Sequence, residues 1–398
     1  MRVALTAAAG AIVLVACADA KTSTGPYRGV QPSPPDTHAE SALVGSHIDP
    51  RSLGDRIDAL VAPTLAQVAI PPDGFSQSPD AVHPDIACPP GEWNGRRCWF
   101  FYTPYKNSDP SYENPGMLMA SNDTVLDTPP EVVNPVVRYP GSGSYNSDPD
   151  HAFDPVTHRL VQVYRVVTDS FNKIMIMSTG DARRWTTPVL AFQAPNHDAI
   201  SPSLIIAPDR SARVWYVRAG VAGCTASSSA VEMREASPEP GTRFEDAAWS
   251  PPTPVDLAAP GAVVWHLDVL ALPNDRGYLA LVVAFPRGSA CGNSDLYLAT
   301  SQDGVHWQTY PAPALWRDMP WARRRSVTSW YRGTLRYDAE TDMLHMWPSA
   351  LLDGRTWSVY HASAKLSELA RLLGGAKASD IRALGLRRHI ARTVIEMP

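Results

Sequence analysis

Basic residues form no stripe in this sequence. Charged residues make up only 19% of its 398 positions and the formal net charge is -5, a balance that argues against nucleic acid as a partner. Eleven histidines are present, but none forms a His-x-x-x-His pair with a flanking glutamate, so a catalytic zinc gains no support and no metal site is expected. Cysteine is scarce, with five in the chain, and no two have the close spacing of a metal-binding pair. The apolar run Val3 to Ala16 is too short for a stable membrane span.

Proline and tryptophan, by contrast, are plentiful, at 38 and 12. They suit a turn-rich β architecture in which prolines mark strand ends. The clearest unit is Leu296 to Thr309, LYLATSQDGVHWQT, which reads as a strand, a turn on Asp303-Gly304, and a second strand opened by Trp307. Weaker copies follow Met117, Ile174, Ala230 and Trp357. Upstream of each lies a short run anchored on Asp85, Asp150, Ser203, Asp268 or Thr334. Each anchor is followed by a turn and an apolar strand: Trp99 to Tyr102, Leu160 to Tyr164, Val214 to Val217, Tyr278 to Ala284 and Met343 to Trp347. Five copies in constant order predict an all-β fold, a five-bladed β-propeller with four-stranded antiparallel blades. A β-sandwich would explain many strands but not that order. The repeats need about 300 residues, so a single domain spanning 78–363 is enough.

The ends read differently. Residues 1–17 resemble a lipoprotein-type signal, in which Leu14-Val15-Ala16-Cys17 would leave Cys17 lipidated; a plain signal peptide cut near Ala20 is the alternative. Residues 18–45, rich in proline and small polar residues, read as a flexible tether. Together these imply an exported protein, lipid-anchored to the bacterial cell envelope on its periplasmic or extracellular face. The membrane is touched through that lipid only, and a monomer is expected. Residues 46–77 form an N-terminal brace with a short helix over Ser52 to Val61. In 364–398, Lys365 to Leu373 has a helical period ended by Gly374-Gly375. The outer strand that blade five lacks could come from Ala391 to Glu396 or from Leu65 to Ile70. With Cys17 set aside, the blade alignment pairs Cys88 with Cys98 inside blade one and Cys224 with Cys291 between equivalent loops of blades three and four.

In such blades the innermost strand starts on one face, and the loop between strands two and three returns there. That surface collects Asp85, Asp148, Asp150, Ser201, His266, Asp268 and Arg332, with His83, His151, Tyr105, Tyr112, Trp265 and Trp330 nearby. Crowded carboxylates have pKa values pushed apart, as acid/base cleavage of a glycosidic bond requires. Aromatic faces would stack on sugar rings. Aspartates at strand starts also cap turns, which is the structural alternative for any one of them. The basic run Arg323-Arg324-Arg325 is placed in a loop entering blade five.

The phrases His83-Pro84-Asp85, Glu113-Asn114-Pro115, Asn146-Ser147-Asp148-Pro149-Asp150, Tyr164-Arg165, Ser201-Pro202-Ser203, His266-Leu267-Asp268-Val269 and Tyr331-Arg332 resemble the five-bladed propeller glycoside hydrolases. This is the arabinanase/xylosidase and invertase-like superfamily, and the resemblance covers residues 78 to 363. It implies a glycoside hydrolase in which Asp85 is base or nucleophile and Asp148 tunes and orients. The glutamate expected in blade three is replaced by Ala199-Ile200-Ser201-Pro202-Ser203. The acid then falls to Glu113, ahead of Asp268 and Asp198, because Glu113 sits in a near-axis loop where Tyr112, Pro110 and Pro115 would desolvate it. Asp150, His266, Asp268, Arg332 and Tyr112 would hold sugar hydroxyls. No cofactor is expected, although an axial calcium ion would suit a carboxylate-rich centre. A non-catalytic glycan-binding propeller and a structural or protein-binding propeller are the competing readings.

Overall fold

A computed structural model describes residues 50–72, 76–138, 141 and 143–375. Cys17, the leader, the tether and the Ala391 to Glu396 segment lie outside the described residues.

Among the described residues, twenty strands form five four-stranded antiparallel sheets. The first strand in the chain is β1 (Ala66–Gln67), which belongs to the last blade. Blade one is β2 (Ala81–Ala87), β3 (Trp99–Pro104), β4 (Gly116–Ala120) and β5 (Leu126–Asp127). Blade two is β6 (Tyr145–Asp154), β7 (Arg159–Val167), β8 (Phe171–Thr179) and β9 (Val189–Pro195). Blade three is β10 (Ile200–Ile206), β11 (Ala212–Arg218), β12 (Ala230–Ala236) and β13 (Thr253–Val255). Blade four is β14 (Ala262–Ala271), β15 (Tyr278–Pro286), β16 (Asp295–Ser301) and β17 (Trp307–Thr309). Blade five is β18 (Val327–Asp338), β19 (Met343–Leu352) and β20 (Thr356–Lys365), completed by β1. The architecture is the five-bladed propeller the repeat implied.

Ring closure comes from the N-terminal side. Ala66 pairs with His361 and Gln67 with Tyr360, so of the two segments expected to close blade five it is Leu65 to Ile70 that supplies the outer strand. That covers an edge that would otherwise be open to another chain. The helix α1 (Pro50–Val61) turns Leu53, Ile57 and Val61, spaced at four-residue intervals, into the core between blades four and five. A short helix α2 (Pro320–Arg324) replaces the loop expected at the basic run: Trp321 and Ala322 are buried while Arg323, Arg324 and Arg325 face solvent. The helix α3 (Leu366–Gly374) buries Leu369, Leu372 and Leu373 in the same core.

The apolar cores lie between blades. Trp99, Phe101 and Met117 of blade one meet Leu160 of blade two, and Val161 and Ile174 meet Leu204 and Val214 of blade three. Trp215 and Val217 meet Leu267 and Val282 of blade four, and Phe100 and Leu118 meet Trp347 and Val359 of blade five. The organising turn at Asp303-Gly304 is one of these joints. Gly304 has φ +79°, and a Cβ there would lie 2.8 Å from the ring of Trp215, whose indole N–H donates to the Gly304 carbonyl at 2.7 Å. Only glycine fits both requirements. The structure pairs Cys88 with Cys98 and Cys224 with Cys291, the second joining blades three and four.

Candidate active site

All five innermost strands carry a register shift, between Val82 and Asp85, Ser147 and Asp150, Ile200 and Ser203, Val264 and His266, and Tyr331 and Gly333. A bulge re-aims side chains and bends the strand. Proline follows the bulged residue in the first three blades, a position where a missing N–H is tolerated on an edge strand. His83, Asp148 and Ser201 take φ of +51°, +50° and +53°, a left-handed conformation that is costly for side chains with a Cβ. The result is two rings around the axis, two residues apart in every blade. His83, Asp148, Ser201, His266 and Arg332 form one; Asp85, Asp150, Ser203, Asp268 and Thr334 form the other.

The second ring is a belt of hydrogen bonds. Thr334 of blade five donates to Asp85 Oδ1 at 3.1 Å, and Asp85 Oδ2 lies 2.8 Å from His151 Nδ1 of blade two. Asp150 Oδ1 accepts the backbone N–H of Leu204 at 2.7 Å, Ser203 Oγ that of Val269 at 2.9 Å, and Asp268 Oδ2 that of Leu335 at 2.9 Å. Each blade is thus tied to the next, and the cycle closes on itself. Burial, and then the charge of Asp85, pushes the Asp150 carboxyl well up and Asp268 to about 7. Arg332 answers with a 3.0 Å contact to Asp150 Oδ2. Asp85, Asp150 and Asp268 bring donor oxygens within 4.8 Å of one another, the kind of carboxylate-rich centre an axial calcium ion would suit; the Arg332 guanidinium already supplies positive charge there.

The first ring is chemically different, because its polar atoms converge without pairing off. Asp148 Oδ2 faces Arg165 Nε at 2.9 Å and accepts the Ser201 N–H at 3.1 Å. Its other oxygen, Oδ1, lies 3.1 Å from His83 Nε2 and 3.8 Å from His266 Nδ1. Oδ1, His83 Nε2 and both ring nitrogens of His266 are buried and make no hydrogen bond. Burial drives His83 down to about 3 and His266 well below its ordinary value, so both rings are neutral and keep lone pairs. His83 Nδ1 sits 3.0 Å from the Thr103 hydroxyl, and in the tautomer that donates there the Nε2 lone pair points at the cluster. For Asp148 burial opposes ionisation, but Arg165 above all outweighs it and holds the carboxyl far below the usual range. Two imidazoles and an ionised carboxylate within 4.8 Å are the donor set of zinc and similar divalent ions, so these residues fit such an ion.

Glu113 completes the group. It is buried, accepts a hydrogen bond from the Ser147 hydroxyl, and lies 3.7 Å from His83 Nδ1. Burial raises its pKa to about 8, with the Asp148 charge adding to the effect and Ser147 and Arg165 opposing it. Tyr331 packs 4.5 Å from His266 and 5.5 Å from His83, accepts the Trp265 indole N–H at 3.0 Å, and is kept neutral by burial. Trp357 stands 5.1 Å from Tyr331 and 5.8 Å from Tyr105.

Of the residues expected from sequence, Glu113, Asp148, His266 and Arg332 meet here, while Asp85, Asp150 and Asp268 lie in the belt one ring away. Tyr112 ends the turn Pro110–Tyr112, with the Lys106 ammonium 5.6 Å from its ring centre. Asp198 accepts the Gly220 N–H at the start of a blade-three loop. Sequence reasoning gave no role to Arg165, Ser147 or Tyr331, although each stands inside a phrase that carried the family resemblance, and it gave His83 no more than a place near the funnel.

No family model matches the chain. Among curated proteins it is similar to an A type blood N-acetyl-α-D-galactosamine deacetylase of Flavonifractor plautii, 23% identical over 372 residues, covering 76% of this chain and 47% of that protein. The chain therefore spans about half the length of this curated relative. Among solved structures it resembles an N-acetylgalactosamine deacetylase from F. plautii in complex with blood group B trisaccharide, with a TM-score of 0.67 and 21% identity over 77% of this chain and 96% of that one. It also resembles the Penicillium chrysogenum α-L-arabinanase complexed with arabinobiose, with a TM-score of 0.51 and 13% identity over 77% of this chain and 98% of that one. The five-bladed propeller is shared with carbohydrate-active proteins of both kinds.

Proposed function

We propose that this propeller hydrolyses the acyl amide of an N-acylated amino sugar, with a divalent cation held by His83, Asp148 and His266. The observation that carries this reading is the set of buried, unpaired donor atoms at those three side chains. Leaving such atoms unsatisfied costs roughly 1–3 kcal/mol each, and a cation would use Asp148 Oδ1, His83 Nε2 and one ring nitrogen of His266. The sugar-amide class rests on the similarity to the deacetylases. A bound divalent ion supplies Lewis acidity towards a carbonyl oxygen and a water molecule.

The remaining work belongs to the chain. An amide nitrogen must gain a proton before it leaves, and Glu113, protonated up to about pH 8, is the donor at hand. Ser147 fixes the position of that carboxyl. Arg165 keeps Asp148 ionised, and Thr103 orients His83. Tyr331 offers a neutral phenol beside both histidines, positioned by Trp265, and Trp357 and Tyr105 offer ring faces for a sugar. The two disulfides suit an oxidising compartment.

Glycoside cleavage is the second reading, favoured by the split between a protonated Glu113 and an ionised Asp148. The two separate on a panel of para-nitrophenyl N-acetylhexosaminides, assayed for acetate and for nitrophenol with and without added zinc. Acetate release that chelator abolishes, and that His83→Ala and His266→Ala each lower by about 10² or more, is the expected result. Nitrophenol release without acetate would hand the site to glycoside hydrolysis. Saturable sugar binding with neither product would leave a glycan-binding propeller.

A further inference from the structure

The join between the first and last blades holds a second cluster of donor atoms far from the axis in sequence and in role. Asp123 lies in the turn between β4 and β5 of blade one, while His345 is on β19 and His361 on β20 of blade five. His345 pairs with Ser363 across the strands, so His361, two residues away, shares its face. Blade five thus presents two imidazoles side by side, their centres 5.3 Å apart, towards a carboxylate of blade one.

We infer that Asp123, His345 and His361 form a zinc-class metal site that clips the propeller ring closed. His345 Nδ1 and His361 Nε2 are 3.0 Å apart, a hydrogen bond that a metal ion would replace, and Asp123 Oδ2 lies 3.5 Å from the first and 3.8 Å from the second. Tetrahedral zinc with ligands at about 2.0–2.1 Å sets its donor atoms about 3.3–3.4 Å from one another. The observed triangle therefore matches one face of such a tetrahedron to within about 0.5 Å. The carboxylate contacts, in contrast, are too long to be good hydrogen bonds.

The surroundings support a ligand role. Trp347 lies under both imidazoles, 5.8 Å from His345 and 5.0 Å from His361, and its indole N–H donates to the Asp123 carbonyl at 2.9 Å. That bond fixes the backbone of the one ligand that comes from the other blade. Arg336 takes the opposite carboxylate oxygen, Oδ1, at 3.4 Å, leaving Oδ2 for the ion. The Asp123 side chain is 42% exposed, so the fourth position opens to solvent and suits a water ligand.

The location gives the ion something to do. His361 pairs with Ala66 of the closing strand β1, and Ala69 beyond it donates to the Thr124 carbonyl of blade one at 3.0 Å. Three chain segments meet there, and β1 has only two residues in its ladder. A cation bound by the folded ring alone stabilises it by mass action.

The test uses the full chain, stripped with chelator and then given zinc chloride. Desalted wild-type protein should hold one more equivalent of zinc than the His345→Gln/His361→Gln variant, whatever the axial cluster does. The melting temperature of the wild type should rise by about 5 °C or more at a hundred-fold excess of zinc over Kd, and the variant should lose the part of that rise due to the seam. Anomalous scattering at the zinc edge from wild-type crystals should show a peak between the three side chains, which decides the matter even if the variant does not fold. Equal zinc content in the two proteins, or an absent peak at the seam, would overturn the inference. An empty axial cluster with a seam peak would refute only the reading of the axial site.

Discussion

Glu113→Gln separates burial from chemistry in one substitution. The folded protein holds the Glu113 carboxyl at about 8, against 4.5 for an ordinary glutamate, a difference worth roughly 5 kcal/mol. The sign follows from proton counting. Between pH 4.5 and 8 the folded state keeps a proton that the unfolded state has lost, so stability falls as pH rises through that window. Glutamine stays neutral and keeps an oxygen to accept from Ser147, so its stability should not fall with this group. In metal-free buffer the two proteins should melt together near pH 4.5. Above pH 8 the variant should lead by up to about 5 kcal/mol, or about 10 °C. The same variant should lose turnover by about 10² or more, a trade of stability for function seen at strained catalytic positions. Thermal melts at half-unit pH steps check the first part and acetate release the second. Parallel stability curves for the two proteins would refute the reading that burial keeps this carboxyl protonated in the folded protein.

Asp85→Asn tests whether the second ring is structural. It should cost about 2–3 kcal/mol in a denaturant titration, from disturbed bonds to Thr334 and His151, yet change turnover of the folded protein less than ten-fold; a loss of about 10² would restore the catalytic base that the family resemblance implied. Cys224→Ser/Cys291→Ser opens a link across 67 residues and should cost about 4 kcal/mol by loop entropy, with the two peptides of the wild type found joined on a non-reducing map.

Strand order was legible because the belt imposes it. Every blade needs one short side chain at the same depth to bond to the next blade, so Asp, Ser or Thr recurs at 85, 150, 203, 268 and 334. That recurrence is a packing signal, so by itself it does not mark these residues as catalytic acids. The first ring shows no such recurrence. His83, Asp148, Ser201, His266 and Arg332 differ because they do different things, and the two histidines flank the aspartate at separations no linear metal motif covers. The closing strand was hard to place for a simpler reason: two residues cannot display an alternation. The basic run escaped as helix because five residues are too few for a period.

The two rings also depend on each other. Three residues at the axis are held in left-handed backbone conformations, each costing on the order of 1–3 kcal/mol, and such geometry lasts only where its surroundings allow nothing else. The belt supplies that constraint two residues further along each strand. Asp150 is fixed by Leu204 and Arg332, so the bulge before it cannot relax, and Asp148 must project towards His83 and His266. Ser201 is fixed in the same way by the bond of its own hydroxyl to the Leu267 carbonyl at 2.9 Å, and its N–H then steadies Asp148. Asp85, locked by Thr334 and His151, does the same for the strand that aims His83. Carboxylates that repeat along the chain thus serve as the frame, and the irregular residues beside them are where the chemistry of this propeller should be sought.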